Sequence, residues 1–179
     1  RAAAAKALGS VGPEAVPELR KALAIGFMEG IGAAEALAFM GTEARDAVPE
    51  LREALGNYDY NFRAAAAKAL GSMGTEARDA VPELREALRD REISVSALEA
   101  RVAAAEALAS MGKEARDAVP ELRKTLRESP SWLVRRDVYR ALASMGKDAR
   151  DAVPELRERL SKYGTGDDDN KLVLEALGS

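Results

Sequence analysis

From Val48 the chain sets apolar residues at Val48, Leu51 and Leu55, with Pro49, Glu50, Arg52 and Glu53 between them. That i, i+3, i+7 spacing puts all three on one face of a short helix. The pattern predicts a helix over 47–55, with Asp46 as its N-cap. Pro49 then falls in the first turn, where a missing N–H breaks no intrahelical hydrogen bond. A second periodic segment follows. Phe62, Ala66, Ala69, Leu70 and Met73 share a face of a helix predicted over 63–73, and Gly74 is placed to stop it. Helices of about ten residues are too short to persist alone in water, so both faces need neighbours.

Those neighbours are written into the rest of the chain. The fifteen residues GTEARDAVPELREAL at 41–55 recur unchanged at 74–88. Aligning the copies on their first glycine stacks Gly12, Gly41, Gly74, Gly112 and Gly146, and brings Pro17, Pro49, Pro82, Pro120 and Pro154 into register. Upstream of each glycine lies a second block, RAAAAKALGSMG at 63–74, with RAAAAKALGS opening the chain, RVAAAEALASMG at 101–112 and RDVYRALASMG at 136–146. A sixth partial copy, NKLVLEALGS, ends it at 170–179. Short helix pairs repeated at this period bury one another's faces by stacking, as a solenoid does.

The pattern A-V-P-x-L-x-x-A-L, a turn, then V-R-x-A-A-x-A-L-G-x-x-G resembles the HEAT repeat. It is most similar to the short HEAT-like subclass first noticed in phycobilin lyases. The resemblance covers nearly the whole chain and implies an all-α fold, a right-handed α-solenoid. It also implies a proline-bearing helix on the convex side and the V-R helix on the concave side. On that reading 1–179 is one repeat domain: a half-unit at 1–12, then helix pairs at 13–41, 42–74, 75–112, 113–146 and 147–179. Arg1 in place of an initial Met, together with open half-units at both ends, suggests a piece of a longer chain. The near-verbatim copies suggest recent duplication or consensus engineering.

The family's V-R arginine falls on Arg1, Arg63, Arg101 and Arg135, while Gly30 and Asn170 replace it in two units. The residue before it is Phe62 or Val134 in two units, Ala100 in a third, and Glu29 and Asp169 elsewhere. The family pairs the arginine with an acidic residue in the preceding turn, a role that Asp59 fits for Arg63.

Sameness is confined to the proline helix, its leading turn and half of the second helix. Difference gathers in the turn between the two helices, where the step from the last leucine to the arginine position is 7, 8, 13, 9 and 10 residues. Phe27, Tyr58, Tyr60, Phe62, Trp132 and Tyr163 lie in these turns; Phe39 and Tyr139 lie on second helices. Phe62, at the family's buried valine position, is expected to fill a gap in the core. Tyr58, Tyr60 and Trp132 are expected either to plug gaps or to form an adaptable rim, since aromatic side chains give large contact area at low entropic cost. On the second helices, positions one, two, five and nine after the arginine are expected to face outward. Position five reads Lys6, Glu35, Lys68, Glu106, Arg140 and Glu175, an alternation expected to form a solvated, salt-bridged ridge. Position nine is serine in most copies but Phe39 in one. Arg135, Arg136, Asp137, Val138, Tyr139 and Arg140 form the most divergent and most basic copy. The candidate partner-binding residues are therefore Phe39, Tyr58, Tyr60, Trp132, Arg136, Tyr139 and Arg140.

Composition narrows the chemistry further. The chain of 179 residues is 47% hydrophobic but only 4% aromatic, so alanine and leucine make a thin core of closely approaching helices. Neither Cys nor His is present, which removes disulfides, thiolate ligands and the commonest acid–base residue. A net charge of −3 from 27 basic and 30 acidic residues, evenly mixed, offers no basic stripe for nucleic acid and argues against a DNA glycosylase. No apolar run approaches a membrane span. Asp167, Asp168, Asp169 and Asn170 lack the alternating ligands of a calcium loop, and read as a solvated helix start. Gly164-Thr165-Gly166 is too short for a phosphate loop. No catalytic residue, metal or cofactor is expected. The expected role is a non-catalytic scaffold that binds a protein partner, in the cytoplasm, through concave helices and variable turns. The alternatives are a bilin lyase or chaperone-like subunit, implied by the subclass, and a passive array that associates end to end.

Overall fold

The computed structural model of the chain describes residues 10–163 together with 171, 173, 174 and 178. Among the described residues all regular structure is helical. Nine α-helices follow in order: α1 (Val16–Ile25), α2 (Phe27–Met40), α3 (Val48–Ala54), α4 (Tyr60–Met73), α5 (Val81–Leu88), α6 (Val95–Met111), α7 (Val119–Glu128), α8 (Trp132–Met145) and α9 (Val153–Tyr163). Odd helices carry the proline and even helices carry the alanine-rich block.

Each even helix ends on a glycine with positive φ, between 55° and 61° at Gly41, Gly74, Gly112 and Gly146, a conformation that favours residues without a Cβ. A seven-residue 3₁₀ turn follows, such as Gly41–Ala47, and runs straight into the next odd helix. This corrects the expected N-cap. Ala47, not Asp46, occupies the capping position, and no side chain caps the helix. The 3₁₀ turn already lines up the backbone, with Val48 donating its N–H to the Arg45 carbonyl, so a side-chain acceptor is not needed there. The turn is held by small residues: Ala44, Ala47, Ala77, Ala80, Ala115 and Ala118 are fully buried.

The core is a set of columns, one member per unit. Leu19, Leu51, Leu84, Leu122 and Leu156 come from the odd helices, and Leu37, Leu70, Leu108 and Leu142 from the even ones. Burying each leucine contributes about 1.5–3 kcal/mol. Along the stack, α2 packs on α4, α4 on α6 and α6 on α8 over broad faces, whereas successive odd helices touch only locally. The even layer is therefore the more closely packed. Small residues allow the approach: a Cβ on Gly71 of α4 would stand 3.1 Å from the Cα of Ala107 in α6. Ser110 adds a link, donating its hydroxyl to the Gly71 carbonyl at 2.8 Å.

Phe62 is 2% exposed and fills the expected gap. Its ring lies over Gly30, where a Cβ would meet the ring Cζ at 2.8 Å. Gly30 replaces the arginine of the other units, and the next unit's ring occupies that space.

Candidate protein-interaction surface

The odd helices are joined by a ladder of ion pairs. Arg20 pairs with Glu50 at 2.7 Å, Arg52 with Glu83 at 2.7 Å, Arg85 with Glu121 at 2.9 Å and Arg123 with Glu155 at 3.0 Å. Each arginine follows the leucine of one P-E-L-R run and reaches the glutamate of the next. The later two rungs are closed by a second arginine one turn on, Arg89 onto Glu121 and Arg127 onto Glu155, where the earlier units carry Ala24 and Gly56. Burial alone would raise the Glu121 and Glu155 pKa values. The hydrogen bonds from their arginines outweigh it and hold both below the ordinary glutamate value.

The even helices present a different arrangement. Position five faces outward as expected at Glu35, Lys68, Glu106 and Arg140, and position nine at Phe39, Ser72, Ser110 and Ser144. No ion pair joins Glu35, Lys68 and Glu106 to one another, so the salt-bridged ridge expected on this layer lies instead on the odd helices. Lys6 and Glu175 fall outside the described residues. Positions one and two do not face outward as a set. Ala64, Ala65 and Ala103 are buried, because the even helices approach closely enough for flank to cover flank.

Asp137, at position two of α8, is fully buried. It accepts two hydrogen bonds from Arg136, at 3.0 and 2.8 Å, and one from Arg140 at 3.0 Å. Both arginines are thereby fixed on one stripe of α8 with Trp132, at i, i+4 and i+8. The guanidinium carbon of Arg136 lies 5.6 Å from the centre of the Trp132 ring, a cation–π contact. Trp132 is 53% exposed and its neighbour Leu133 is 41% exposed.

Two candidate residues are not surface groups. Tyr139 is only 1% exposed and cannot meet a partner in this conformation. Its column holds Ala34, Ala67 and Ala105 in the other units, all fully buried, so the ring is a core side chain. Tyr60 is half-buried in the joint between two units. The Arg63 guanidinium stacks 4.8 Å above its ring, and desolvation together with the neighbouring Asp90 charge raises its pKa. Phe39 and Tyr58 are exposed, at 55% and 74%. They lie in other units and do not share a helix with Trp132. The side chains of Phe27 and Tyr163, the half-unit 1–9, Gly164-Thr165-Gly166 and the Asp167–Asn170 run lie outside the description.

The family's arginine–acid pair is also rearranged. Asp59 caps α4, accepting from the N–H of Asn61 at 2.8 Å and of Phe62 at 3.4 Å. Arg63 turns forward and pairs with Asp90 of the following unit at 2.9 Å. Arg135 donates to the carbonyls of Ser129 and Pro130, at 2.8 and 2.9 Å.

The model for HEAT repeats matches residues 31–100 and 96–178, and the model for the PBS lyase HEAT-like repeat matches residues 1–24. The chain belongs to the HEAT-repeat family. Two crystal structures of engineered proteins, both Northeast Structural Genomics Consortium targets, are similar to it. One aligns with a TM-score of 0.72 at 26% identity, over 97% of this chain and 87% of the other. The second, at 22% identity and a TM-score of 0.65, covers 97% of this chain and 52% of its own, and supports the fold alone. No curated protein matches. Among the described residues, no group of His, Cys, Asp or Glu could hold a metal ion, and no helix of this HEAT-repeat stack is long and apolar enough to cross a membrane.

Proposed function

We propose that this HEAT-repeat chain is a non-catalytic scaffold that binds a protein partner, with the Trp132–Arg136–Arg140 stripe as the centre of the contact. The observation that carries this is the exposure of the chain's single tryptophan beside Leu133, with an arginine stacked on it and a buried carboxylate fixing that arginine. Tryptophan and arginine are the residue types that dominate interface hot spots, and holding them still before binding lowers the ordering cost. In the other units the three positions read Phe27-Ile31-Glu35, Tyr60-Ala64-Lys68 and Leu98-Val102-Glu106, so a large side chain recurs at the first position but the arginine stacked on it at the second belongs to this unit.

Capture of a partner by the chain, compared with its Trp132→Ala variant, tests this. Trp132 projects from the first turn of α8, so its truncation leaves the core columns intact and the thermal melt unchanged. Retention of the partner at full strength by a folded Trp132→Ala chain rules the surface out.

A further inference from the structure

Three arginines, Arg63, Arg101 and Arg135, occupy the same column in successive units, and two of them donate through Nη1 to the partners described above. Arg101 makes no such contact among the described residues. It is only 7% exposed and no carboxylate among them pairs with it; its Nε is buried without a hydrogen-bond partner, as are those of Arg63 and Arg135, which make their contacts through Nη1. Burial pushes its pKa down against the opposing charge of Asp90. A buried, unpaired guanidinium destabilises a fold, so its presence calls for a counter-charge.

Arg101 lines a cavity of about 410 Å³ between the turn that joins α5 to α6 and the side of α7. Each carboxylate that shares this cavity is paired with an arginine other than Arg101. Asp90 holds Arg63, Glu121 holds Arg85 and Arg89, and Glu128 pairs with Arg91 at 3.2 Å. Lys124 stands at the same wall with no ion pair among the described residues. Four cationic and three carboxylate side chains line the cavity, and with each carboxylate already paired, Arg101 and Lys124 are the cations left to hold an anion. Its rim is apolar on one side, where Ile93 is 75% exposed.

We infer that this cavity is a binding site for a peptide carboxylate, seated between Arg101 and Lys124 with an apolar neighbour of the carboxylate resting on Ile93. A planar guanidinium takes a carboxylate through two parallel N–H donors, which gives both strength and orientation. The preceding joint shows the same pairing made internally, since Arg63 there receives Asp90. The longest of the intra-unit turns supplies the rim, which gives its extra residues a use. The inference rests on the scaffold reading but concerns a second contact point, in the turn and groove beside the unit that carries Trp132.

The test follows the Arg101 Nε–H resonance by NMR in the full chain during titration with three probes. These are a doubly blocked Leu-Asp-Leu peptide, its Asn counterpart, and a peptide whose only carboxylate is a free C-terminus after leucine. Inorganic phosphate is the fourth arm. A saturable shift is expected with a carboxylate peptide, absent with Asn, and the two carboxylate arms distinguish a side chain from a chain end. In Arg101→Met the affinity falls by about tenfold or more, as loss of one charge-assisted pair requires. The same variant melts no lower than the parent, because it removes an unpaired buried charge; an arginine with a purely structural partner would melt lower when replaced. Three results overturn the inference: no saturable shift with either carboxylate peptide, a shift with phosphate alone, or displacement of the resonance by Glu128→Gln without peptide, which shows that Glu128 already serves Arg101. A protein partner lost on Trp132→Ala but indifferent to Arg101→Met overturns this inference and leaves the scaffold reading standing.

Discussion

The ion-pair ladder makes a graded prediction for Glu121→Gln. Its carboxylate is 7% exposed and receives Arg85 at 2.9 Å and Arg89 at 2.6 Å. Removing one partner of a fully buried pair costs about 3–5 kcal/mol. The two arginines here keep side-chain exposures of 30% and 48%, so water compensates much of their charge once the carboxylate is gone. The expected loss is then about 1–2 kcal/mol, midway between a buried and a surface pair. For a chain of this size that corresponds to a Tm lower by about 2–8 °C. Glu50→Gln, at a rung with one arginine and a 24% exposed carboxylate, is expected to lower Tm by less. Thermal denaturation followed by circular dichroism reads both variants, and a double-mutant cycle with Arg85→Met isolates the pairwise term. The reasoning is refuted if Glu50→Gln costs as much as Glu121→Gln, or if the cycle gives no coupling between Glu121 and Arg85.

Two glycines of α2 are expected to respond in opposite directions. Gly32→Ala raises Tm, since a Cβ there meets nothing within 4 Å and alanine gains about 1 kcal/mol over glycine in a helix. Gly30→Ala lowers it, because the new Cβ would stand 2.8 Å from the buried Phe62 ring, and paired melts of the two variants check the sign. Acid sensitivity follows from Asp90, Glu121 and Glu155, whose folded pKa values lie below the ordinary 3.8 and 4.5. Their stabilisation is complete above those ordinary values and is lost as pH falls through the depressed folded ones, so urea midpoints should drop below about pH 4.5; combined Asp90→Asn, Glu121→Gln and Glu155→Gln should flatten that slope.

The architecture was legible because repetition supplied its own alignment. Columns of leucine, proline and glycine state which residues are core and where helices stop, and Phe62 was placed correctly as the occupant of a buried column. The same columns carry a further signal. Tyr139 aligns with Ala34, Ala67 and Ala105, and a column of alanines inside a tight helix pair marks an interior position whatever residue interrupts it. Composition of the local stretch, basic and aromatic, outweighed that signal. The flank positions were misplaced for a related reason. A single helix has one buried stripe, but an even helix here has neighbours on both sides, and alanine carries too little hydrophobic contrast to advertise three covered faces.

The ladder was missed because its two members sit in the verbatim block, where constancy reads as frame and polar residues read as solvent-facing. A glutamate and an arginine at fixed places in every copy form a cross-unit pair only when the repeat distance brings one beside the other. That distance is a tertiary quantity. The second arginine at Arg89 and Arg127 was visible as an R-x-x-x-R spacing present in some units and absent from others. Arg101 was recognised as a family position, but its lack of a partner depends on Glu128 pointing toward Arg91 rather than inward, which no spacing encodes.

The joints between units are of two kinds, and they set how far the chain could be rearranged. On the odd layer every copy offers an arginine forward and a glutamate backward, so any unit can follow any other, and units can be inserted or removed without loss of a rung. The even layer is keyed. Phe62 needs the glycine of the unit before it, and Arg63 needs the Asp90 of the unit after it, so these three units fit in one order alone. A permuted chain would keep its odd-layer ladder and fail at those two locks, so the even layer fixes the placing of Phe39 relative to Tyr58, while the unit that carries Trp132 is joined to them through the interchangeable ladder.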